Sequence, residues 1–173
     1  MQKQSWVLLI YRIPREPSRQ RVTVWRKLKD IGALYLQYGV AALPEDAVTR
    51  EQLEWLQLRV KEAGGEATLW VGQPSMRAEG GKLAEAFRAS REEAYQAIIA
   101  AAERVRHKAE LGGGGTLLLI ELGKLERKFR AERRRDYFRA PSRSAASEAL
   151  RAARQAVREG KSPEERLRTG SEN

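Results

Sequence analysis

The sequence contains no cysteine and a single histidine, His107. Without cysteine the chain can form no disulfide, offers no thiolate nucleophile and supplies no thiolate ligand to a metal. The histidine lies in a polar, helix-like run, and the sequence offers no partners for a serine–histidine–aspartate triad, so an exposed position is the simpler interpretation. We therefore expect a protein that is not an enzyme and that holds no cofactor and no metal.

Long apolar segments are also missing, and acidic residues are outnumbered by basic ones. No segment approaches the apolar length that spans a bilayer, and the N-terminus shows no signal-peptide pattern, so we expect a cytoplasmic protein without membrane contacts. The 33 Lys and Arg residues exceed the 23 Asp and Glu residues, which gives a net charge of +10. Such a charge attracts polyanions, and nucleic acid is the commonest of these. The alternative is a helical protein with many surface arginines.

The first 75 residues alternate between strand-like and helix-like patterns. The apolar run 6–11 indicates a buried strand, and the segment 33–43 divides at Gly39 into two short strands. A second helix, with Thr49 as its cap, ends at Gly64 and precedes a strand over 67–71. The first helix begins at Ser18 and ends at Gly32, and its predicted inner stripe is Val22, Trp25, Leu28 and Ile31.

The resulting order β-α-β-β-α-β predicts an α+β fold, with a ferredoxin-like domain over residues 1–75 and both helices on one face of an antiparallel sheet. A helical extension is predicted over 76–159 and a disordered tail over 160–173. Within the extension four consecutive glycines, 112–115, break the first helix. The apolar run 116–120 is either a strand or the buried start of the next helix, and Pro141 precedes the last helix.

Two groups of basic residues are the candidate binding sites. The first surrounds the junction of the first strand and first helix, where a helix N-terminus favours anions. A phosphate or oxyanion site is one interpretation of this group, and a solvated helix face is the other. Its members are Arg12, Arg15, Arg19, Arg21 and Arg26.

The second group lies on the predicted helix before Pro141. Residues 127, 130 and 134 are neighbours at helical spacing, and two aromatic residues, Tyr137 and Phe138, follow the group. Arginines beside aromatic rings suit phosphate contacts combined with base stacking. The alternative is a packed helix with charged flanks. The group consists of Arg127, Lys128, Arg130, Arg133, Arg134 and Arg135.

Several long segments carry a family resemblance. They are LLIYRIPREPSR (8–19), RVTVWRKLK (21–29), GALYLQYGVAALP (32–44), GGEATL (64–69), FRASREEAY (87–95) and RRDYFRAP (134–141). Together they resemble the N-terminal region of the chromate-resistance regulator family ChrB, over roughly residues 5–158. The resemblance implies control of chromate-efflux operons. In that family a second, chromate-responsive domain usually follows, and these 173 residues do not include one.

The front segments are also similar to the middle part of the phenylacetate-catabolon repressors and to small CRISPR-associated ferredoxin-like nucleases. Those nucleases carry a metal-binding aspartate at the end of the first strand, where this sequence has Tyr11 and Arg12. A cation in place of that carboxylate argues against magnesium-dependent cleavage.

Three functional hypotheses follow. The first is a homodimeric, DNA-binding transcriptional regulator of chromate or another oxyanion or metal-stress resistance, whose binding residues are Arg12, Arg15, Arg19, Arg26, Arg127, Arg130, Arg134 and Arg135. The second is an oxyanion sensor in which Arg12, Arg15, Arg19 and Arg26 hold a chromate-like or phosphate-like effector. The third is a metal-dependent nuclease, which the missing aspartate makes the weakest of the three.

Overall fold

The computed structural model describes residues 4–16, 18–112 and 115–160, and forms two compact units, residues 1–87 and 88–173. The boundary between the units falls within the third helix. Apart from Gly160, the predicted disordered tail 160–173 lies outside the described residues. Over the described ranges, no helix is both long and apolar enough to cross a membrane.

The first unit contains a four-stranded antiparallel sheet. Its strands are β1 (Trp6–Arg12), β2 (Leu34–Gln37), β3 (Val40–Pro44) and β4 (Glu66–Gly72), and their order in the sheet is β2-β3-β1-β4. Helices α1 (Ser18–Asp30) and α2 (Ala47–Glu62) connect β1 to β2 and β3 to β4. This element order and strand order confirm the predicted α+β class and its ferredoxin-like unit.

The core of the first unit lies between the sheet and its two helices. α2 packs on β1 and β4, and α1 packs beside α2. Val7 and Leu9 of β1 are fully buried, as alternation along a strand predicts for the covered face. On the opposite face the ring of Trp6 stacks on Phe87, with centroids 5.6 Å apart.

The predicted inner stripe of α1 is correct for Leu28 and Ile31 and wrong for Val22 and Trp25. The helix buries Val24 and Leu28, whereas Val22 and Trp25 are 41% and 48% exposed. A strict three-residue repeat drifts around a helix that has 3.6 residues per turn, so its two ends cannot share one buried side. The misplaced pair instead borders a cavity described below.

The start of α2 also differs from the prediction. Asp46, and not Thr49, is the N-cap residue, and its carboxylate accepts a hydrogen bond from the Thr49 backbone N–H at 2.8 Å. The Thr49 hydroxyl accepts from the Asp46 N–H at 3.0 Å, which completes a reciprocal capping box. Thr49 therefore stabilises the helix start from the third helical position.

The described residues after β4 form three helices, α3 (Arg77–Glu110), α4 (Gly115–Arg134) and α5 (Arg143–Glu159). The run 116–120 is therefore the first turns of α4 and not a strand, and it is buried only at Leu118, whereas Leu117 and Ile120 are exposed. The core of the second unit joins Ile98 and Val105 of α3, Leu122 of α4, and Leu150 and Val157 of α5. These side chains recur at helical spacing, so each helix buries one apolar stripe.

Candidate nucleic-acid interface

Three arginines lie along the exposed side of α4. Arg127, Arg130 and Arg134 are separated by three and four residues, so they follow one stripe of the helix, which we call the α4 arginine stripe. All three are exposed, whereas Leu118 and Leu122 are buried. At 1.5 Å per residue the stripe is about 10 Å long, and it places three arginines on one side of the helix.

The acidic residues of α4 are engaged by basic residues of the neighbouring helices. The ion pairs join Glu121 to Lys108 at 3.3 Å, Glu126 to Arg154 at 2.5 Å and Glu132 to Arg91 at 2.5 Å. Within the described ranges, the six basic side chains of α4 itself form no ion pair with a carboxylate. These are Lys124, Arg127, Lys128, Arg130, Arg133 and Arg134. Their charge is therefore not neutralised by any carboxylate of the residues that the structure describes.

Arg135 differs from the α4 arginine stripe. Its guanidinium lies 3.2 Å from the carboxylate of Glu132, and its side chain is only 18% exposed. Glu132 is buried and binds both Arg91 and Arg135. Removing one partner from such a buried set leaves an uncompensated charge, so Arg135 contributes to the stability of the second unit.

The arginines at the β1–α1 junction occupy three different places. Arg12 is the last residue of β1, Arg15 lies in the connection, and Arg19 and Arg26 lie on α1. Arg19 and Arg26 share one helix stripe with Val22 between them. No side chain of these four arginines forms an ion pair or hydrogen bond in the part of the chain that the structure describes.

A cavity of about 400 Å³ opens beside this junction, and we call it the tyrosine pocket. It brings Arg12 together with Arg21, but Arg15, Arg19 and Arg26 do not line it. The cavity combines aromatic and basic side chains, and of the four arginines in the second hypothesis its lining includes Arg12. Its lining is Tyr11, Arg12, Ile13, Arg21, Val22, Trp25, Tyr35, Tyr38 and Gly39.

The turn between β2 and β3 forms one wall of the tyrosine pocket. Gly39 adopts φ +76°, and its carbonyl accepts a hydrogen bond from the Tyr11 N–H at 2.8 Å. A Cβ at this position would lie 2.6 Å from the Tyr11 carbonyl oxygen, so only glycine fits. The hydroxyls of Tyr11 and Tyr35 lie 3.5 Å apart, and burial together with this contact raises the pKa of Tyr35.

The lysines of α1 lie over tryptophan rings. The Lys27 ammonium is 5.3 Å from the centroid of Trp55, and the Lys29 ammonium is 5.2 Å from that of Trp25. Both distances are within the range of cation–π attraction. α1 therefore combines five basic residues, one acidic residue and a half-exposed tryptophan on its surface.

Two of the resembling segments, 87–95 and 134–141, meet inside the second unit. The Tyr95 hydroxyl donates to the buried Asp136 carboxylate at 3.1 Å, and Asp136 also accepts from the Ala140 N–H at 2.9 Å. Glu92 accepts hydrogen bonds from the Ser142 N–H at 3.0 Å and from the Ser142 hydroxyl. These contacts join α3 to the connection between α4 and α5, so the segments share a structural role.

Comparison with protein families identifies the relationship. The model described as Protein ChrB, N-terminal, matches residues 21–113, which is more than half of the chain. The chain belongs to the ChrB N-terminal domain family. This membership confirms the resemblance and connects the chain with chromate-resistance regulation. No curated protein and no solved structure is significantly similar to the chain.

The ChrB match begins at Arg21 and extends beyond the end of α3. It includes most of α1 and the β2–β3 turn of the tyrosine pocket, whereas α4 with its arginine stripe follows the matched range. In the described part of this ChrB family member, no group of three or more His, Asp or Glu side chains could hold a metal ion.

Sequence reasoning missed most of the tyrosine pocket. It placed Arg21 in the first basic group but assigned no binding role to Trp25 or to the tyrosines. The available signal was the position of Tyr11 at the end of one strand and of Tyr35 and Tyr38 around the hairpin turn. In this fold the strand end and the turn are neighbours, so their aromatic rings can line one cavity.

Proposed function

We propose that the chain is a DNA-binding transcriptional regulator that acts in resistance to chromate or to a related oxyanion or metal stress. The observation that carries this proposal is the α4 arginine stripe, whose charge is left unneutralised because the acids of α4 pair with α3 and α5. ChrB family membership supplies the physiological setting. The role is one of binding, without a catalysed reaction.

Phosphate contacts would supply most of the affinity. Arginine forms bidentate hydrogen bonds with phosphate oxygens, and Arg127, Arg130 and Arg134 have no side-chain partner among the described residues that would compete. Arg19 and Arg26 on α1 offer a second set of such contacts. Contacts of this kind orient a protein on DNA without reading its sequence, and base-edge contacts supply specificity.

The wild-type protein tests this proposal directly. Fluorescence anisotropy of a labelled 30-base-pair duplex should show affinity that falls steeply as salt rises. If the three arginines of the stripe each neutralise one phosphate, they contribute about −2.7 to the log–log slope, at about −0.9 per phosphate. A salt-independent affinity, or no binding at low salt, would remove the proposal.

Homodimerisation is part of the same proposal. β4 is an edge strand of the sheet, and its Trp70 and Val71 are 62% and 50% exposed. A second copy pairing along β4 would cover these side chains and double the basic surface. Light scattering after size exclusion should give a dimer for the wild type and a monomer for Val71→Asp. A monomeric wild-type protein would contradict homodimerisation but not DNA binding.

An oxyanion effector is the second candidate function. Arg12, Arg15, Arg19 and Arg26 retain their charge for an external anion, since they form no ion pair in the described ranges. Isothermal titration with chromate, sulfate and phosphate tests it. Heat that disappears in Arg12→Ala would support an effector site at this junction, whereas no heat with any of the anions would rule it out.

A further inference from the structure

The tyrosine pocket contains a buried donor that the protein leaves unsatisfied. The Nε of Arg21 is inaccessible to solvent and has no hydrogen-bond partner among the described residues. Leaving the donor of a charged group unpaired in the protein interior is energetically unfavourable. Arg12, the second guanidinium of the lining, is exposed and unpaired within the same ranges. An anionic acceptor that enters the pocket would meet the Arg12 guanidinium and the side chain of Arg21, which both line it.

The rest of the lining is aromatic. Four rings, those of Tyr11, Trp25, Tyr35 and Tyr38, surround a volume of about 400 Å³, which lies within the range of small-molecule sites. The Tyr38 ring is 92% exposed at the rim, and Trp25 is half exposed. Exposed rings around a cavity offer stacking surfaces for a planar ligand.

We propose that the tyrosine pocket binds an unstacked nucleotide, with its base against the aromatic rings and its phosphate at Arg12 and Arg21. A bare oxyanion would bind the arginines without contacting the aromatic rings. A neutral aromatic compound would contact the rings but leave the arginines unpaired. A nucleotide uses both parts of the lining.

The surroundings of the pocket favour a nucleotide that belongs to a strand. Val22 lines the pocket, and it lies on the helix stripe that carries Arg19 and Arg26 on either side. Phosphates that flank a bound base would meet these two arginines. This inference rests on the proposed nucleic-acid binding, and it predicts a preference for single-stranded or locally unpaired DNA.

Binding assays with the full chain can test the pocket. Tryptophan fluorescence would be measured during titration with an eight-residue oligodeoxyadenylate, deoxyadenosine 5′-monophosphate, benzoate and inorganic phosphate. We expect the oligonucleotide to quench the fluorescence, and Trp25→Phe to reduce that quenching. Inorganic phosphate should neither quench nor compete at equal concentration.

Variants of exposed lining residues distinguish binding in the tyrosine pocket from nonspecific electrostatic attraction to the basic surface. Tyr38→Ala should weaken oligonucleotide binding roughly 5- to 150-fold, the range expected for loss of one base–aromatic stack. Arg12→Gln should weaken it as well. The matched controls, Trp55→Ala and Arg50→Gln, remove a half-exposed ring and a surface charge of α2, outside the pocket, and should change it less than twofold.

The outcomes distinguish the two nucleotide sources. Binding of the free monophosphate with the same dependence on Tyr38 and Arg12 would identify a soluble nucleotide as ligand, and binding of the oligonucleotide alone would identify a strand. If the pocket variants bind like the controls, or benzoate competes as well as the monophosphate, the inference is wrong. If the protein still binds duplex DNA in that case, the proposed function is not contradicted.

Discussion

The hydroxyl of Tyr95 donates a hydrogen bond to the carboxylate of Asp136 at 3.1 Å, in the interior of the second unit. Both groups are buried, and burial and the neighbouring carboxylate raise the pKa of Tyr95. Asp136 has a second donor in the Ala140 N–H and a nearby cation in Arg143, 3.7 Å away. The contact therefore belongs to a satisfied network that connects α3 to the chain after α4.

Tyr95→Phe should destabilise the protein without affecting its surface charge. The substitution removes one donor from a buried carboxylate, and hydrogen bonds to charged groups contribute about 1.5–3 kcal/mol. Urea unfolding at pH 7 should show a loss in that range. Tyr38→Phe is the matched control, because its ring is almost fully exposed. Equal stability of the two variants would contradict the role given to Asp136.

Stability should depend on pH through Glu92. Hydrogen bonds from Ser142 lower the pKa of Glu92 below its ordinary value of 4.5. A carboxyl group whose pKa is lowered by folding stabilises the protein above that value, and this contribution is lost as pH falls through the lowered pKa. Its charge also lies beside the N-terminus of α5, where a negative charge contributes about 0.3–1 kcal/mol.

Glu92→Gln checks this assignment. The variant should be less stable than the wild type in urea at pH 7, and the difference should shrink as pH falls through the lowered pKa of Glu92, where the wild-type carboxyl group becomes protonated. Glu93→Gln, at the next and exposed position, serves as the control. A difference that is independent of pH would show that the charge of Glu92 is not what stabilises α5.

Gly39→Ala should deform the β2–β3 turn and the tyrosine pocket. The new methyl group would meet the Tyr11 carbonyl oxygen at 2.6 Å, and alanine would be held at φ +76°. Strained positions of this kind cost about 1–3 kcal/mol. Gly72→Ala is the control, since a Cβ there meets nothing within 4 Å. If thermal unfolding finds both variants equally stable, the close approach of the turn to β1 is not required.

The sequence predicted the elements well because apolar periodicity is a local property. The strand 6–11, the hairpin at Gly39 and the helices followed from it, and the β-α-β-β-α-β order implied the sheet. The errors arose where contacts between distant parts of the chain determine which side chains are buried. Trp25 appeared to be a core residue by spacing, yet it borders a cavity whose other wall comes from a distant turn.

The candidate interface was predictable only in part. The spacing of residues 127, 130 and 134 was sufficient to place them on one helix side. Their charges are unneutralised within the described residues because the acidic residues of α4 form ion pairs with side chains of other helices. These side chains are Lys108, Arg91 and Arg154. The pairing of Arg135 with Glu132 was open to prediction from its three-residue separation.

The most direct test of the account is the salt dependence of duplex binding in Arg130→Ala/Arg134→Ala. We expect weaker binding to every duplex sequence and a log–log salt slope that is less steep by about 1.8, at about 0.9 per lost phosphate contact. The charge-matched control is Arg50→Ala/Arg59→Ala, whose arginines already pair with Glu45 and Glu62. It should keep the wild-type slope. Equal affinity and slope in both double variants would contradict the assignment of the α4 arginine stripe as the DNA-binding surface.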